Sequence, residues 1–386
     1  MGVVLESFQV TNFRAFSNLK IDTLGAVNLI IGKNNSGKSS LLEALRLYSS
    51  RGSPAVIMEI LNSRNELREP PRAEFVYPED RPEFTDPEDH RSVGVVFLFH
   101  GYKVGVNGAG MIQMGPVGMP DEILSLSLNW YRAVPTQEGP PSWEPVSRTT
   151  DEERQDLRSA LTIRWGDSEK GRLWLDDMLM RHRRILNSDR LLDRGRLCCY
   201  VPAGGLRPFE IAWWWERVAL TEEEEDVLKA LRLIEPDVER VAMVDAFMPR
   251  FGGVPVVRIR GTSFPVPLRS LGDGMNRLFG IILALVNAKN GLLLIDEIEN
   301  GVHYTVQPEL WRIIIHTAKR LNVQVFATTH SWDCIEAFQR ALQHGEQDGR
   351  GIGYLIRLNR REQGVVATIY DEKDLAVITR DHVEVR

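Results

Sequence analysis

The stretch GKNNSGKS at residues 32–39 decides the fold of this 386-residue chain, because it fits the phosphate-binding pattern GxxxxGK[ST]. The apolar run VNLII at residues 27–31 precedes it, and LLEALRLY at residues 41–48 follows it with the spacing of a helix. A glycine-bearing loop between a strand and a helix lets backbone N–H groups curl around phosphate oxygens. A glycine turn with a chance lysine is the alternative, and the flanking strand and helix disfavour it.

Within this loop, the type of each residue indicates its contact with the phosphates of a nucleotide. The Lys38 ammonium supplies a positive charge to the β- and γ-phosphates, and the Ser39 hydroxyl can ligate Mg²⁺. The sequence therefore predicts that the chain binds ATP and Mg²⁺. The predicted nucleotide contacts in the loop are Asn34, Asn35, Ser36, Gly37, Lys38, Ser39 and Ser40.

A second apolar strand ends in a pair of acids. LLLIDEIEN at residues 292–300 brings Asp296 to the end of a buried strand, from which such an acid reaches Mg²⁺, usually through water. Glu297 is then the predicted general base, or the residue that orients the attacking water. An isolated Asp–Glu pair is commonly two solvated acids, but a phosphate-binding loop in the same chain favours the catalytic interpretation.

A glycine-rich stretch just upstream of these acids indicates the type of ATPase. RSLGDGM at residues 269–275 leads into a predicted helix over 273–289, and its position before Asp296 is similar to that of the ABC signature LSGGQ. A serine and glycines at the start of a helix can bind an anion, so Ser270 and Gly272 are predicted nucleotide contacts. Taken alone, SLGDG is equally compatible with a capped helix start.

Further positions follow the ABC order. ENGVH at residues 299–303 occupies the place of the D-loop, and TTHS at residues 328–331 follows an apolar strand where ABC ATPases carry a histidine. His330 is therefore a predicted γ-phosphate contact, although a lone histidine is more often structural. The Q-loop glutamine is not evident, with Gln113 one candidate and His100 nearer to the expected position.

The N-terminal stretch VTNFRAF at residues 10–16 resembles the NFR-x-[FY] start that the SMC/RecF branch of the ABC ATPases shares. Within that branch, the chain resembles the ATPase part of the OLD (overcoming lysogenization defect) family. SLGDGMNR at residues 270–277, DEIENGVH at residues 296–303 and FLFHG at residues 97–101 carry this closer resemblance.

This resemblance covers roughly residues 1–50 and 238–386. It implies that Arg14 lies near the nucleotide and that two chains sandwich two ATP molecules. The Lys38 loop of one chain would then face Ser270 of the other. We therefore expect a homodimer, or a larger assembly, that forms through ATP.

The chain departs from the OLD nucleases at its C-terminal end. Those nucleases carry a Toprim domain, whereas the residues after His330 are about what the ATPase sheet itself requires. We therefore expect a stand-alone ATPase, with any Toprim-type nuclease a separately encoded partner. The cluster of Asp371, Glu372 and Asp374 is interpreted as an exposed end segment and not as a nuclease metal site.

The pattern along the chain predicts an α/β fold of the P-loop NTPase, ABC type, with a largely parallel core sheet, an antiparallel N-terminal lobe and a mostly helical insertion. We assign residues 1–135 to the N-terminal lobe and 237–386 to the C-terminal lobe. Residues 136–236 form the insertion, a candidate dimerisation or partner element. Residues 92–100, SVGVVFLFH, are predicted as a strand.

The composition, with 43% hydrophobic and 26% charged residues, is that of an ordinary globular protein. A net charge of −6 excludes a general polyanion binder, so contact with DNA needs a local patch. The best candidate is RHRR at residues 181–184 with Arg190, Arg194 and Arg196, which is at least as compatible with a solvated helix face. No apolar run is long enough to span a membrane, and three cysteines without a disulfide or zinc spacing favour the cytoplasm.

These observations support one leading hypothesis and two alternatives. The leading hypothesis is an antiphage-defence ATPase that hydrolyses ATP with Lys38, Glu297 and His330 as catalytic residues and controls a separate effector nuclease. The alternatives are a RecF-like ATPase of DNA repair or recombination, and a nucleotide-gated scaffold with slow turnover.

Overall fold

The computed structural model describes residues 5–67, 93–104, 110–136, 141–146, 157–180, 197–245, 253–343 and 353–385. Three sheets and the helices that cover them make up this part of the chain. The strands are β1 Phe8–Phe13, β2 Phe16–Ile21, β3 Val27–Ile31, β4 Ile112–Gly115, β5 Leu124–Val134, β6 Ser142–Pro145, β7 Leu157–Trp165, β8 Ser168–Trp174, β9 Cys198–Val201, β10 Val238–Asp245, β11 Gly253–Ile259, β12 Val266–Pro267, β13 Leu292–Ile295, β14 Gln324–Thr328, β15 Gly353–Arg361 and β16 Gly364–Tyr370. The helices are α1 Lys38–Ser49, α2 Pro54–Ser63, α3 Val93–Val96, α4 Leu175–Met180, α5 Pro208–Val218, α6 Glu223–Leu231, α7 Asp273–Asn287, α8 Gln307–Leu321, α9 Trp332–Gln343 and α10 Glu372–Arg380.

The N-terminal lobe is an antiparallel sheet in the order β2-β1-β4-β5-β7-β8, with β6 beside β5. Buried side chains on one face of this sheet pack against α1 and form one core with it. A tight turn at Arg14 and Ala15 joins β1 to β2 and pairs Phe13 with Phe16. The sheet therefore holds the helix that follows the phosphate-binding loop.

The central sheet has the order β16-β15-β3-β14-β13-β9, in which only β16 is antiparallel to its neighbour. Strands β3, β13 and β14 are buried along their whole length, as expected where helices cover both faces of a parallel sheet. Ile30 belongs to the core around α1, whereas Leu29 and Ile31 belong to the core of α7, α8 and α9. Because these strands are parallel, the loops that follow them lie at one edge of the sheet.

A small antiparallel sheet, β10-β11-β12, leads through the 3-10 turn Leu268–Leu271 into α7. Helix α7 is buried along most of its length and packs against α5 and α6. In the part of the chain that the structure describes, no helix combines the length and apolar character needed to cross a membrane.

The predicted fold class, a P-loop ABC-type sheet with an antiparallel N-terminal lobe, is confirmed. Two local predictions are wrong. The strand predicted over residues 92–100 is not present in residues 93–100, the part of it that the structure describes, since Val93–Val96 is a short helix and His100–Tyr102 a 3-10 turn.

The insertion at residues 136–236 is also not mostly helical where it is described. Alongside α4, α5 and α6, strands β6, β7 and β8 extend the N-terminal sheet, and β9 forms an edge of the central sheet. The partners of β7 and β9 are β5 and β13. Such pairing between distant segments overrides local helical preference, which explains the error.

Candidate nucleotide-binding site

The phosphate-binding loop follows β3 and ends at Lys38, the first residue of α1. Gly37 has φ near 100°, and a Cβ added there would lie 2.7 Å from the Phe16 ring. Gly32 has φ near 147°, and a Cβ there would collide with the carbonyl oxygen of Leu358. Both positions therefore require glycine, and the loop is held between the β1–β2 turn and β15.

The Lys38 ammonium lies inside this loop. Its Nζ donates hydrogen bonds to the carbonyl oxygens of Gly32, at 2.6 Å, and Lys33, at 3.1 Å. Burial lowers the pKa of Lys38, while the negative charges of Asp296 and Glu297 act in the opposite direction. A phosphate would supply the countercharge that this buried cation lacks.

The remaining loop residues fit a phosphate as well. The Ser36 hydroxyl is buried and has no hydrogen-bond partner among the described residues, as expected of a group that contacts a ligand. Asn34 and Asn35 are exposed at the loop tip, and Ser40 is buried one residue after Ser39 in α1. Their contacts with a nucleotide remain predictions.

Ser39 and Asp296, the predicted Mg²⁺ ligands, lie next to each other. The Ser39 hydroxyl lies 3.1 Å from Asp296 Oδ2, although the two residues are 257 positions apart in the sequence. The Thr328 hydroxyl donates to Asp296 Oδ1 at 2.6 Å and accepts from the Glu297 backbone N–H at 2.8 Å. A serine hydroxyl and a fixed carboxylate are oxygen donors that suit Mg²⁺, so this pair fits the predicted metal.

Glu297 and His330 form the second pair of the site. His330 Nε2 lies 3.7 Å from Glu297 Oε1, and Glu297 Oε2 accepts a hydrogen bond from Asn300 Nδ2 at 2.6 Å. Glu297 has φ near 50°, a left-handed conformation that is uncommon for a residue with a side chain. The carboxylate and the imidazole are both partly exposed at the edge of the sheet that carries the phosphate-binding loop.

The predicted signature residues lie at the surface. Gly272, with φ near 106°, is the N-cap of the 15-residue helix α7. Ser270 is in the 3-10 turn before it, and both residues are exposed, as are Arg269 and Asp273. Their contact with a nucleotide stays a prediction, and it requires a second chain in the arrangement that the resemblance implies.

The Arg14 guanidinium pairs with carboxylates of α1 and of the segment after α2, and its contact with a nucleotide stays a prediction. Its guanidinium is buried and lies 2.5 Å from Glu43 Oε2 and 2.8 Å from Glu66 Oε1. Two buried carboxylates near the guanidinium satisfy its charge and hold it there. The β1–β2 turn borders the loop through side chains, because a Cβ added at Gly37 would lie 2.7 Å from the Phe16 ring and 3.2 Å from Ala15 Cβ.

Other candidates lie elsewhere. His100 Nδ1 lies 2.8 Å from the Arg14 carbonyl oxygen, so His100 is at the same turn, whereas Gln113 is an exposed residue of β4. Asp371 accepts from the backbone N–H groups of residues 373 and 374 and caps α10, which gives that acidic cluster a structural role. The basic stretch at residues 181–196 lies outside the described residues.

Sequence reasoning missed Arg277, which ties the signature helix to the acidic pair. Its guanidinium donates to the carbonyl oxygens of Pro202 at 2.5 Å, Asp296 at 2.6 Å and Glu297 at 3.0 Å. Burial lowers the pKa of Arg277, and the nearby acids Asp296, Glu299 and Glu297 oppose this effect. A single cation in an otherwise apolar helix was the signal available in the sequence.

The fold is that of a P-loop ATPase of the ABC type, and the site combines the phosphate-binding loop and the acidic pair expected of its nucleotide-binding site. A family described as "AAA ATPase domain" matches residues 4–91. A second family, "AAA domain, putative AbiEii toxin, Type IV TA system", matches residues 254–333. The two matched segments contain the phosphate-binding loop and the acidic pair, respectively.

The chain is similar to two proteins whose descriptions name nucleotide hydrolysis and to one solved structure. It is 22% identical over 396 residues to an "ATP/GTP phosphatase" of Helicobacter pylori, covering 96% of this chain and 97% of that protein. It is 46% identical over 55 residues to the "DNA double-strand break repair Rad50 ATPase" of Archaeoglobus fulgidus, which is 14% of this chain and 6% of that protein. A crystal structure of an Smc head bound to the C-terminal winged-helix domain of ScpA has a TM-score of 0.48 and 12% identity, with 95% of this chain and 98% of that chain covered.

Proposed function

We propose that this chain hydrolyses ATP at the site between Lys38 and Glu297, and that two chains complete the site head to tail. The observation that carries the proposal is the hydrogen-bonded series Ser39–Asp296–Thr328, which holds the two predicted metal ligands together beside Glu297 and His330. The similarity to an ATP/GTP phosphatase over nearly the whole chain supports hydrolysis.

Each residue has one role in this proposal. Lys38 and the loop amides would bind the β- and γ-phosphates, and Ser39 and Asp296 would hold Mg²⁺, which would neutralise charge on the phosphates. Glu297 orients the attacking water and accepts its proton. His330, whose Nε2 lies 3.7 Å from Glu297 Oε1, would contact the γ-phosphate.

The dimer follows from the position of the signature residues. Ser270 and Gly272 are exposed at the N-terminus of α7, where backbone N–H groups and the helix dipole favour an anion. In the head-to-tail arrangement, they bind the γ-phosphate held by the Lys38 loop of the partner chain.

For the biological role, we propose an OLD-like regulatory ATPase of antiphage defence that controls a separate effector nuclease. Its support is the OLD-type motifs and the match to a family described as a putative toxin of a type IV toxin–antitoxin system. A RecF-like role in DNA repair has less support. The similarity to Rad50 covers only 14% of the chain.

The test is the molar mass of the Glu297→Gln variant by size-exclusion chromatography with light scattering, with and without Mg·ATP. We expect the mass to double with Mg·ATP, because the variant binds ATP but hydrolyses it at least about 100-fold more slowly than the wild type. The matched control is Lys38→Ala, whose mass should not respond to Mg·ATP. A monomeric Glu297→Gln protein that binds ATP would show that the head-to-tail dimer is wrong.

A further inference from the structure

Glu299 connects the D-loop, residues 299–303, to His330. Its Oε1 accepts a hydrogen bond from the His330 backbone N–H at 2.8 Å. Its own backbone carbonyl accepts from Val302 N–H at 2.9 Å, which closes a turn of the D-loop. The Glu299 side chain therefore connects the D-loop to the backbone of His330, whose imidazole lies near Glu297.

The second carboxylate oxygen of Glu299 indicates that this side chain is not an ordinary surface acid. Oε2 is buried and has no hydrogen-bond partner among the described residues. A buried carboxylate oxygen without a donor costs free energy. Glu299 is thus held by one hydrogen bond, from the His330 amide, and by the positive charges of Lys38 and Arg277 nearby, which places its carboxylate within the site.

The hydrogen bond to Glu299 constrains the backbone of His330 and not its ring. The backbone N–H is held by Glu299, whereas the ring is free to approach Glu297 Oε1, at 3.7 Å. His330 lies two residues after the end of β14, and the N–H of the intervening Thr329 is held by the carbonyl oxygen of Ile30. Without Glu299, the backbone N–H of His330 would lose this hydrogen bond, while those of Thr329 and Ser331 on either side would keep theirs.

We infer that Glu299 is a positioning residue for ATP hydrolysis, which fixes the backbone of His330 so that its imidazole stays beside Glu297. The inference rests on the proposed ATPase function and deepens it. It also gives the D-loop, which borders α7 where Gly301 approaches Gly274, a direct connection to the catalytic pair. A change in the D-loop on dimerisation would then reach His330 through one hydrogen bond.

The test is a double-mutant cycle on kcat and KM for ATP with Glu299→Ala, His330→Ala and the double variant. Loss of a hydrogen bond to a carboxylate should lower kcat of Glu299→Ala about 10- to 100-fold with KM within about threefold of the wild type. In the His330→Ala background, the same change should lower kcat less than about twofold, because the side chain that Glu299 positions is already absent.

Two further variants distinguish a positioning role of Glu299 from an effect of its charge and from a nonspecific effect of removing an acid. Glu299→Gln keeps an oxygen that accepts from the His330 amide, so its kcat should stay within about threefold of the wild type. Glu309→Ala removes an exposed acid of α8 that pairs with Arg312, and it should leave kcat and KM unchanged.

Three results would overturn the inference. Multiplicative effects of Glu299→Ala and His330→Ala on kcat would show that the two residues act independently. A Glu299→Gln variant as slow as Glu299→Ala would show that the charge acts and not the hydrogen bond. Loss of ATP binding in Glu299→Ala would show a structural role. If the wild type hydrolyses ATP and the effects multiply, only this inference fails, whereas a wild type without turnover overturns the proposed function as well.

Discussion

At the scale of single residues, Lys38 is a buried cation in the phosphate-binding loop. Its ammonium is surrounded by the carbonyl oxygens of Gly32 and Lys33, and it is shielded from water by the loop. Such burial disfavours the charged form, so the pKa of Lys38 lies below the ordinary lysine value of 10.5. Bound phosphates favour the charged form and raise the pKa again.

The difference between the pKa of Lys38 in the free protein and in the ATP-bound protein predicts a pH dependence of ATP binding. ATP binds most tightly below the lowered pKa of free Lys38, where the ammonium is already charged, and binding weakens as the pH rises through that pKa. The dissociation constant of a non-hydrolysable ATP analogue, measured by calorimetry from pH 7.5 to 10, should rise by up to about tenfold per pH unit in the upper part of the range. Lys38→Arg, which stays charged, should give a flat profile. A wild-type profile that is also flat would show that Lys38 does not titrate in this range.

At the scale of elements, the signature helix α7 and the strand β13 are joined by Arg277. This buried cation satisfies three backbone carbonyl oxygens at the ends of β9 and β13. Those oxygens belong to Pro202, Asp296 and Glu297, so the same bonds fix the backbone that presents the catalytic carboxylate. A movement of α7 therefore acts directly on the acidic pair.

Arg277→Met tests this connection by its effect on stability. The change removes the donor of the Asp296 carbonyl oxygen, while the Pro202 and Glu297 oxygens keep the N–H donors of Gly205 and Asn300, and we expect the free energy of unfolding in urea to fall by about 2 kcal/mol. The matched control is Arg312→Met on α8, whose guanidinium is exposed and pairs only at the surface with Glu309. That variant should differ from the wild type by less than about 0.5 kcal/mol. Equal losses in the two variants would contradict a special role for Arg277.

At the scale of the whole molecule, the site lies where the two cores meet. Helix α1 belongs to the core of the N-terminal sheet, whereas Asp296 and His330 follow strands of the central sheet. The exposed signature residues are at the start of α7, and in the proposed dimer they bind the nucleotide of the second molecule. If the proposal is correct, ATP hydrolysis requires assembly of two chains.

Ser270→Arg tests that dependence. An arginine at this exposed position should prevent the approach of a second chain, so ATP turnover should fall at least about 100-fold, as when a phosphate-binding group is lost from an active site. The affinity of the single chain for ATP should stay within about threefold. Ser168→Arg, an exposed change on the N-terminal lobe, is the control and should retain turnover. Normal turnover in Ser270→Arg would mean that the signature surface does not face ATP.

The sequence by itself determined the parts of this protein that are contiguous in the chain. The strand–loop–helix unit at residues 27–49, the strand that ends at Asp296 and the strand before His330 were all predicted correctly. In each of these segments, the functional residues directly adjoin a buried apolar run or apolar residues at helical spacing. Local backbone preference and hydrophobic periodicity therefore suffice to predict these segments.

Tertiary structure alone decided which distant groups meet. It placed Ser39 against Asp296, the Glu299 carboxylate on the His330 amide, and the Arg14 guanidinium between two acids. It also made residues 157–174 strands of the N-terminal sheet. These features depend on pairing between segments far apart in the chain, and the free energy of such contacts comes from neighbours that no local pattern reveals.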